Sequence, residues 1–320
     1  MAFPRRHHNA TLLPDGTTLV TGGTSSLGFN NSAQAVRAAE IYDPVANTWS
    51  TKPSMIRKRV YHSTAVLLPD GRVLSAGGGV PNAVGDVDHR NAEIYSPPYL
   101  FKGARPAINS SPSVVKYGKT FCIETPNAAS VEKVRLIRLA SVTHAFDQNQ
   151  RLVTMEPVHS ACEGSSGTTP SNNVNVTVPV NANLVPPGHY MLFIINTDGV
   201  PSVAAMTQVL GFTDPDLASG AIIKAIHMME LRNRINAVRV NKCGLEAASF
   251  SDPVLTAGVA VVGAVHLREL RNAVNTAEDT LACRMPLTMF TDPLITERNT
   301  PIRAVHITEL RTAVEALELR

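Results

Sequence analysis

The sequence has no long apolar run, few aromatic residues and almost no net charge. No stretch approaches the roughly 18 apolar residues of a membrane-spanning helix, so we predict no membrane span. The net charge of +3 is too small to indicate a nucleic-acid partner. Aromatic residues make up only 5% of the chain. The apolar content of 44% over 320 residues still predicts a folded protein of two or three domains.

Several catalytic motifs are also missing. The sequence has no Gly-x-Ser-x-Gly elbow and no His-Glu-x-x-His, which argues against an elbow-type serine hydrolase and a zinc protease. Gly77–Gly79 follow a predicted strand but lack the Lys-Ser/Thr of a phosphate-binding loop. Hydrolysis and nucleotide chemistry therefore have little support.

The chain has only four cysteines, and none forms a Cys-x-x-Cys pair, which argues against a zinc ribbon. Cys122 and Cys162 fall in one region, and Cys243 and Cys283 in another. We predict one disulfide in each region, which is typical of an oxidising compartment. The alternative is four buried thiols.

An internal repeat organises the first third of the chain. Residues 5–16 align without a gap with residues 60–71, and both copies contain a Leu-Pro-Asp-Gly turn. Each copy then runs through an apolar strand into paired glycines, followed by Ala-Glu-Ile-Tyr. This period is typical of kelch-type propeller blades, so we predict two blades over residues 1–103. Equivalent positions of two blades share a rim, which predicts that Arg6 and His7 lie on the same rim as Tyr61 and His62, one blade over.

Residues 104–210 have a different pattern. Short strand-like runs, of which residues 174–178 alternate cleanly between apolar and polar, predict an immunoglobulin-like β-sandwich. A polar loop, residues 141–147, lies between two of the predicted strands and contains His144.

Residues 211–320 contain three helical repeats. Each begins with Phe-Thr/Ser-Asp-Pro and reaches a helix carrying His-x-x-Glu-Leu-Arg, with the histidine in an apolar stripe: His227, His266 and His306. The histidines and the glutamates that follow them, Glu230, Glu269 and Glu309, could be metal ligands, but we favour a buried histidine bonded to a nearby carboxylate. The module looks like a C-terminal repeat of bacterial secreted or surface proteins, which implies attachment or interaction. The predicted fold class is therefore mainly β with an α-helical C-terminal region.

Three motifs are distinctive in residues 3–210: Arg59-Val60-Tyr61-His62-Ser63, Thr143-His144, and the run from Pro187 to Phe193. With them, this part of the chain resembles the galactose oxidase and glyoxal oxidase family of copper radical oxidases. The resemblance implies that Tyr61 is an axial copper ligand and the proton acceptor in catalysis, with His62 and His144 as equatorial ligands. Two imidazoles and a phenolate suit Cu(II). Arg6 and His7 are the expected substrate contacts, and His189 is expected to be structural.

The sequence also departs from that family. Its oxidising centre needs a further tyrosine cross-linked to a cysteine from earlier blades, and no cysteine precedes Cys122. The chain begins inside a repeat, so we expect a piece of a longer enzyme that lacks N-terminal blades.

Two functions follow as expectations. The first is oxidation of a small alcohol, aldehyde or carbohydrate by O2 to give H2O2, once the missing blades complete the propeller. The second is a non-catalytic secreted or surface-attached protein, which binds a cell-surface polymer and retains a mononuclear copper site. Both imply an extracellular or cell-surface location.

Overall fold

The computed structural model describes residues 1–28, 31–79, 88–162, 172–215, 217–256, 261–297 and 299–318. The chain divides into two compact units, Met1–Leu210 and Gly211–Arg320. Among the described residues, no helix is both long and apolar enough to cross a membrane.

Two antiparallel sheets form the blades. The first sheet has the order β1-β2-β3-β4, and the second the order β5-β6-β7. In the second sheet, Ser63, Ala65 and Leu67 of β5 are buried and alternate with half-buried residues, the pattern of a strand with one core-facing side. The bounds are β1 (Arg6–Leu12), β2 (Thr18–Thr24), β3 (Ala38–Asp43), β4 (Thr48–Ser54), β5 (Ser63–Leu67), β6 (Val73–Gly77) and β7 (Ala92–Tyr95).

A five-stranded sheet and a two-stranded sheet build the sandwich. The larger has the order β13-β10-β15-β16-β8, with β16 and β8 parallel, and the smaller pairs β14 with β9. A separate hairpin joins β11 and β12. The bounds are β8 (Val114–Lys116), β9 (Thr120–Glu124), β10 (Val131–Arg138), β11 (Val142–Thr143), β12 (Phe146–Asp147), β13 (Leu152–Met155), β14 (Asn173–Thr177), β15 (Gly188–Asn196) and β16 (Ala205–Leu210).

Strand β15 is buried on both faces because it lies between two cores. Leu192 and Ile194 point into the sandwich core with Ile123 and Val176. Met191, Phe193 and Ile195, on the other face, pack against both blades: their partners are Leu13, Leu19, Ala39, Ile41, Ala65, Leu67 and Val73. The blades and the sandwich therefore share apolar contacts as well as a chain connection.

Arginines from outside the blades bind both Leu-Pro-Asp-Gly turns. Arg135 Nη1 donates to the Pro14 carbonyl at 2.6 Å, and Arg105 Nη1 donates to the Asp70 carbonyl at 2.7 Å. Arg105 also donates to the carbonyls of Pro201 and Ser202. Charged donors of this kind make strong hydrogen bonds, so they fix each turn against the sandwich.

The three helices of the second unit are α1 (Ala225–Asn241), α2 (Ala264–Glu278) and α3 (Ala304–Glu318). Each helix packs against the other two. Their apolar faces form one core that includes Leu231, Leu270 and Leu310, all fully buried.

Arginines connect each repeat to the next and close a ring. Arg232 donates to the carbonyls of Ser251 and Asp252, and Arg271 to those of Thr291 and Asp292. In the same way Arg311, in the last repeat, donates to the carbonyls of Thr213 and Asp214 in the first. Each arginine also lies over a phenylalanine of the repeat that it contacts: Phe250, Phe290 and Phe212. The repeats form a closed cycle.

The carboxylate that partners each buried histidine is an aspartate. Nε2 of His227, His266 and His306 lies 3.0, 3.1 and 3.0 Å from Asp214, Asp252 and Asp292. The glutamate one turn along the helix instead accepts hydrogen bonds from the threonine or serine before that aspartate. The glutamates therefore bond these threonine and serine residues and not the histidines.

The structure confirms the predicted fold class, with partial blades, an immunoglobulin-like sandwich and helical repeats. It also confirms both disulfides, Cys122–Cys162 and Cys243–Cys283. The finer division at residue 103 remains a prediction.

Candidate metal centre

Four aromatic rings from three places in the first unit lie together. Tyr61 is in the middle: its ring centre is 4.1 Å from that of His62, 5.4 Å from that of His144 and 5.1 Å from that of His7. The rings of His62 and His144 are 4.9 Å apart and inclined at 67° to each other. His62 and His144 are exposed, and Tyr61 and His7 are half-buried. The cluster is open to solvent.

The three histidines share an uncommon backbone conformation. His7, His62 and His144 have φ values of 56°, 65° and 55°, and Ala145 has 64°. Non-glycine residues rarely adopt this left-handed region, and such residues concentrate at functional sites. His7 is the second residue of β1, and His62 directly precedes β5, so both lie at the start of the first strand of a blade.

In each blade, a buried arginine anchors the segment that leads into the first strand. Arg5 donates to the carbonyls of Gly22 and Ala38 and pairs with Glu40. Arg59 makes the same set of contacts one blade on, with Gly77, Asn91 and Glu93.

This equivalence corrects the alignment of the repeat. The ungapped alignment matched Arg5 with Val60, but the contacts match Arg5 with Arg59, while the strand pairs His8–Gly22 and Ser63–Gly77 keep the original offset. The second copy therefore has one additional residue between its arginine and His62. The sequence signal for this alignment was the arginine that precedes the strand in both copies. The added residue lies in the segment that carries Tyr61.

His144 lies in the short connection between β11 and β12. Its Nδ1 is 2.6 Å from the Thr143 hydroxyl, so Nε2 is the ring nitrogen that could bind a metal. Gln150, further along the same segment, bonds both the Leu12 amide and the Ala10 carbonyl of β1. These bonds hold the loop against the first blade. Nothing in the sequence distinguished Gln150 from other surface amides.

Two family models match this unit. Residues 105–209 match the galactose oxidase-like early set domain, and residues 5–56 match the kelch motif.

Relatives of known activity match over the same region. Galactose oxidase of Gibberella zeae is 35% identical over 216 residues, which is 65% of this chain and 30% of that protein. The aldehyde oxidase GLOX of Vitis pseudoreticulata is 34% identical, over 66% of this chain and 42% of the relative. A fungal alcohol oxidase solved in complex with copper aligns with 28% identity and a TM-score of 0.58, over 65% and 43% of the two chains.

Residues 5–209 are related to the galactose and glyoxal oxidase family. The chain spans less than half the length of each of these relatives. The relatives are fungal and plant proteins, so the bacterial character of the C-terminal repeats remains a prediction.

The ring spacing in this oxidase-like region fits shared ligation of one ion. An imidazole nitrogen lies about 2 Å from a first-row metal, which puts the ring centre about 3 Å away, so two imidazoles bound at right angles around one ion have centres about 4 to 5 Å apart. The 4.9 Å between His62 and His144 meets this condition. Counting only His, Cys, Asp and Glu, the described residues contain no group of three that could hold an ion. The ring of Tyr61 lies beside both histidine rings, and its phenol oxygen is a further polar group of the cluster.

The remaining predicted residues have different surroundings. The guanidinium of Arg6 donates to the carbonyls of Ser26 and Gly28, so it holds that loop beside the cluster. His7 faces Tyr61, and burial together with the nearby Arg6 charge lowers the pKa of its imidazole. His189 is exposed on β15 and pairs across to Gln208.

Proposed function

We propose that Tyr61, His62 and His144 bind one copper ion and that this site serves the oxidation of an alcohol or aldehyde. The observation that supports it is the convergence of three donor side chains from a blade and from a distant hairpin. The three side chains bring two nitrogens and one oxygen, a donor set that suits Cu(II). The relationship to copper-dependent alcohol and aldehyde oxidases supports the same choice of metal.

Each residue has a role in this proposal. His62 and His144 would hold the ion, and Tyr61 would be both a ligand and the acceptor of the substrate's hydroxyl proton. Bound copper would supply one-electron redox chemistry and polarise the substrate oxygen. His7 and Arg6 border the cluster as candidate substrate contacts, with His7 the nearer because Arg6 is bonded to its loop. The overall reaction moves two electrons and two protons from a primary alcohol to O2, giving an aldehyde and H2O2.

The cysteines favour a second function beside the first. All four cysteines of this sequence are in disulfides, so none is available for the tyrosine–cysteine cofactor that the resemblance implies. Turnover would therefore depend on blades supplied from elsewhere. In their absence the chain would be a copper-binding secreted or surface-attached interaction protein, with a cell-surface polymer as its partner. The two disulfides support an extracellular location.

The first test is copper binding by the purified chain. After loading with Cu(II) and desalting, we expect one retained ion with nitrogen hyperfine structure in its EPR spectrum. We expect His62→Ala and His144→Ala each to abolish retention. His189→Ala is the matched control, because it removes an exposed imidazole away from the cluster and should leave copper content unchanged.

Turnover is tested separately. Release of H2O2 on addition of small alcohols or aldehydes would support the oxidase, and copper retention without H2O2 would support the non-catalytic protein. Copper retention that is absent, or equal in all three variants, would contradict the metal site itself.

A further inference from the structure

The three buried histidines of the second unit share one arrangement. His227, His266 and His306 are at most 2% exposed. In each, Nδ1 accepts a hydrogen bond from the backbone amide of the residue that precedes the helix, at 3.2, 3.0 and 3.3 Å. This is half of a capping box, in which a side chain at the third helical position satisfies an amide at the helix start. Nε2 bonds the aspartate of the same repeat.

These bonds define the charge state of the rings. A nitrogen that accepts a hydrogen bond from an amide carries no proton, so each imidazole is neutral with its hydrogen on Nε2. A second proton would have to be placed on Nδ1, where it would face an N–H donor. Protonation therefore breaks the bond that begins the helix.

The aspartate links this bond to the ring of repeats. The side chain of Asp252 bonds His266, while its backbone carbonyl accepts from Arg232 of the preceding repeat. Asp292 and Asp214 do the same with Arg271 and Arg311. All three aspartates have left-handed φ values of 50° to 52°, a conformation held by these contacts. A displaced histidine thus loosens the contact between neighbouring repeats.

We propose that the C-terminal ring is an acid-sensitive closure, in which protonation of its three histidines opens the contacts between repeats together.

Charges of both signs surround His227, and burial has the largest influence on it. The aspartates would stabilise a protonated ring, but their side chains are 42%, 70% and 35% exposed and so interact weakly. Burial, together with Arg311, lowers the pKa of His227 despite Asp214 and Glu230. The charged groups near His227 are Asp214, Lys224, Glu230 and Arg311. His266 bonds Asp252, and His306 bonds Asp292, which also pairs with Arg303. One turn along the helix from His266 and His306 lie Glu269, paired with Arg232, and Glu309, paired with Arg271.

The sign follows from linkage. A histidine that stays neutral in the folded state binds fewer protons than in the unfolded chain, whose histidine pKa is about 6.5. Stability is therefore complete above that pH and falls as the pH drops below it. The unfolding equilibrium constant rises by up to about tenfold per histidine for each pH unit.

Two signals separate the units in the intact chain. All described α-helices lie in the second unit, so circular dichroism at 222 nm follows it. The single tryptophan, Trp49, lies in the first unit and reports on that unit by fluorescence. We expect the urea midpoint at 222 nm to fall steeply between pH 7 and pH 5.

The decisive variant is H227Q/H266Q/H306Q. Glutamine offers an acceptor oxygen and a donor nitrogen but does not titrate in this range, so it replaces the ring with a neutral side chain that has the same kinds of hydrogen-bonding group. We expect the triple variant to lose most of the pH dependence at 222 nm, and H227Q alone to lose part of it. Equal pH dependence in wild type and the triple variant would overturn the proposal, as would a wild-type midpoint that does not change between pH 7 and pH 5.

Discussion

At the scale of single residues, the repeat offers a matched pair of buried ion pairs. Arg5 and Glu40 are both fully buried, whereas Glu93, the partner of Arg59, is 22% exposed. Removing one member of a buried pair leaves an uncompensated charge and costs about 3 to 5 kcal/mol, while exposed pairs contribute much less. Without Glu93, Arg59 would still donate a hydrogen bond to the side-chain oxygen of Asn91.

We therefore predict that Glu40→Ala lowers the free energy of unfolding of the first unit by about 3 kcal/mol or more, and that Glu93→Ala lowers it by about half as much. Urea unfolding followed by Trp49 fluorescence measures both. A larger loss in Glu93→Ala would contradict the role of burial.

The sequence predicted some residues of the candidate site but not the contacts around them. Local motifs placed Tyr61 and His62 at the start of a blade strand, and the resemblance placed His144 on a loop of the sandwich. Which residues contact the cluster was harder to predict. The bonds of Arg6 depend on the loop at residues 26–28, and the bonds of Gln150 join segments about 140 residues apart.

At the scale of elements, the Leu-Pro-Asp-Gly turns test how the blades are fixed to the sandwich. Gly16 and Gly71 both have left-handed φ values, 89° and 81°. A Cβ on Gly16 would lie 2.9 Å from Arg135 Nη1, but one on Gly71 would have no neighbour closer than 3.4 Å. The backbone cost of alanine is shared, at about 1 to 2 kcal/mol.

The prediction is that Gly16→Ala is more destabilising than Gly71→Ala by at least about 1 kcal/mol, because Arg135 must give up its bond to Pro14. Chemical denaturation of the two variants, again by Trp49 fluorescence, gives this difference. Arg135→Met should remove it, and persistence of the difference in that background would count against the steric explanation.

Turn chemistry predicted these hairpins because proline and glycine act locally. The arginines that bind the turns could not be predicted in this way. Arg135 lies on β10, about 120 residues from Pro14, and its sequence surroundings are those of an ordinary strand with one polar face.

At the scale of the molecule, periodicity predicted blades, a sandwich and three helical repeats, because each pattern arises from local geometry. Closure of the helical repeats into a ring was not predictable from the repeats themselves. Identical units can stack as an open array or close as a cycle, and only the contact from the last repeat to the first distinguishes them. Arg311 supplies that contact.

Ring closure gives the last prediction. In an open array, the arginine of the last repeat has no following repeat to bind, so its replacement would cost little. In the closed ring, Arg232→Met, Arg271→Met and Arg311→Met should each lower the free energy of unfolding by about 2 to 3 kcal/mol, since each arginine is at most 6% exposed and makes two charged hydrogen bonds.

Methionine keeps the apolar stem of the arginine side chain, so these variants remove only the guanidinium. Arg284→Met is the control, because that residue is exposed and lies outside the helices, and it should cost less than about 1 kcal/mol. Equal losses at 222 nm for the first three variants would establish the cycle in solution, whereas an Arg311→Met variant as stable as the control would show that the repeats are open there.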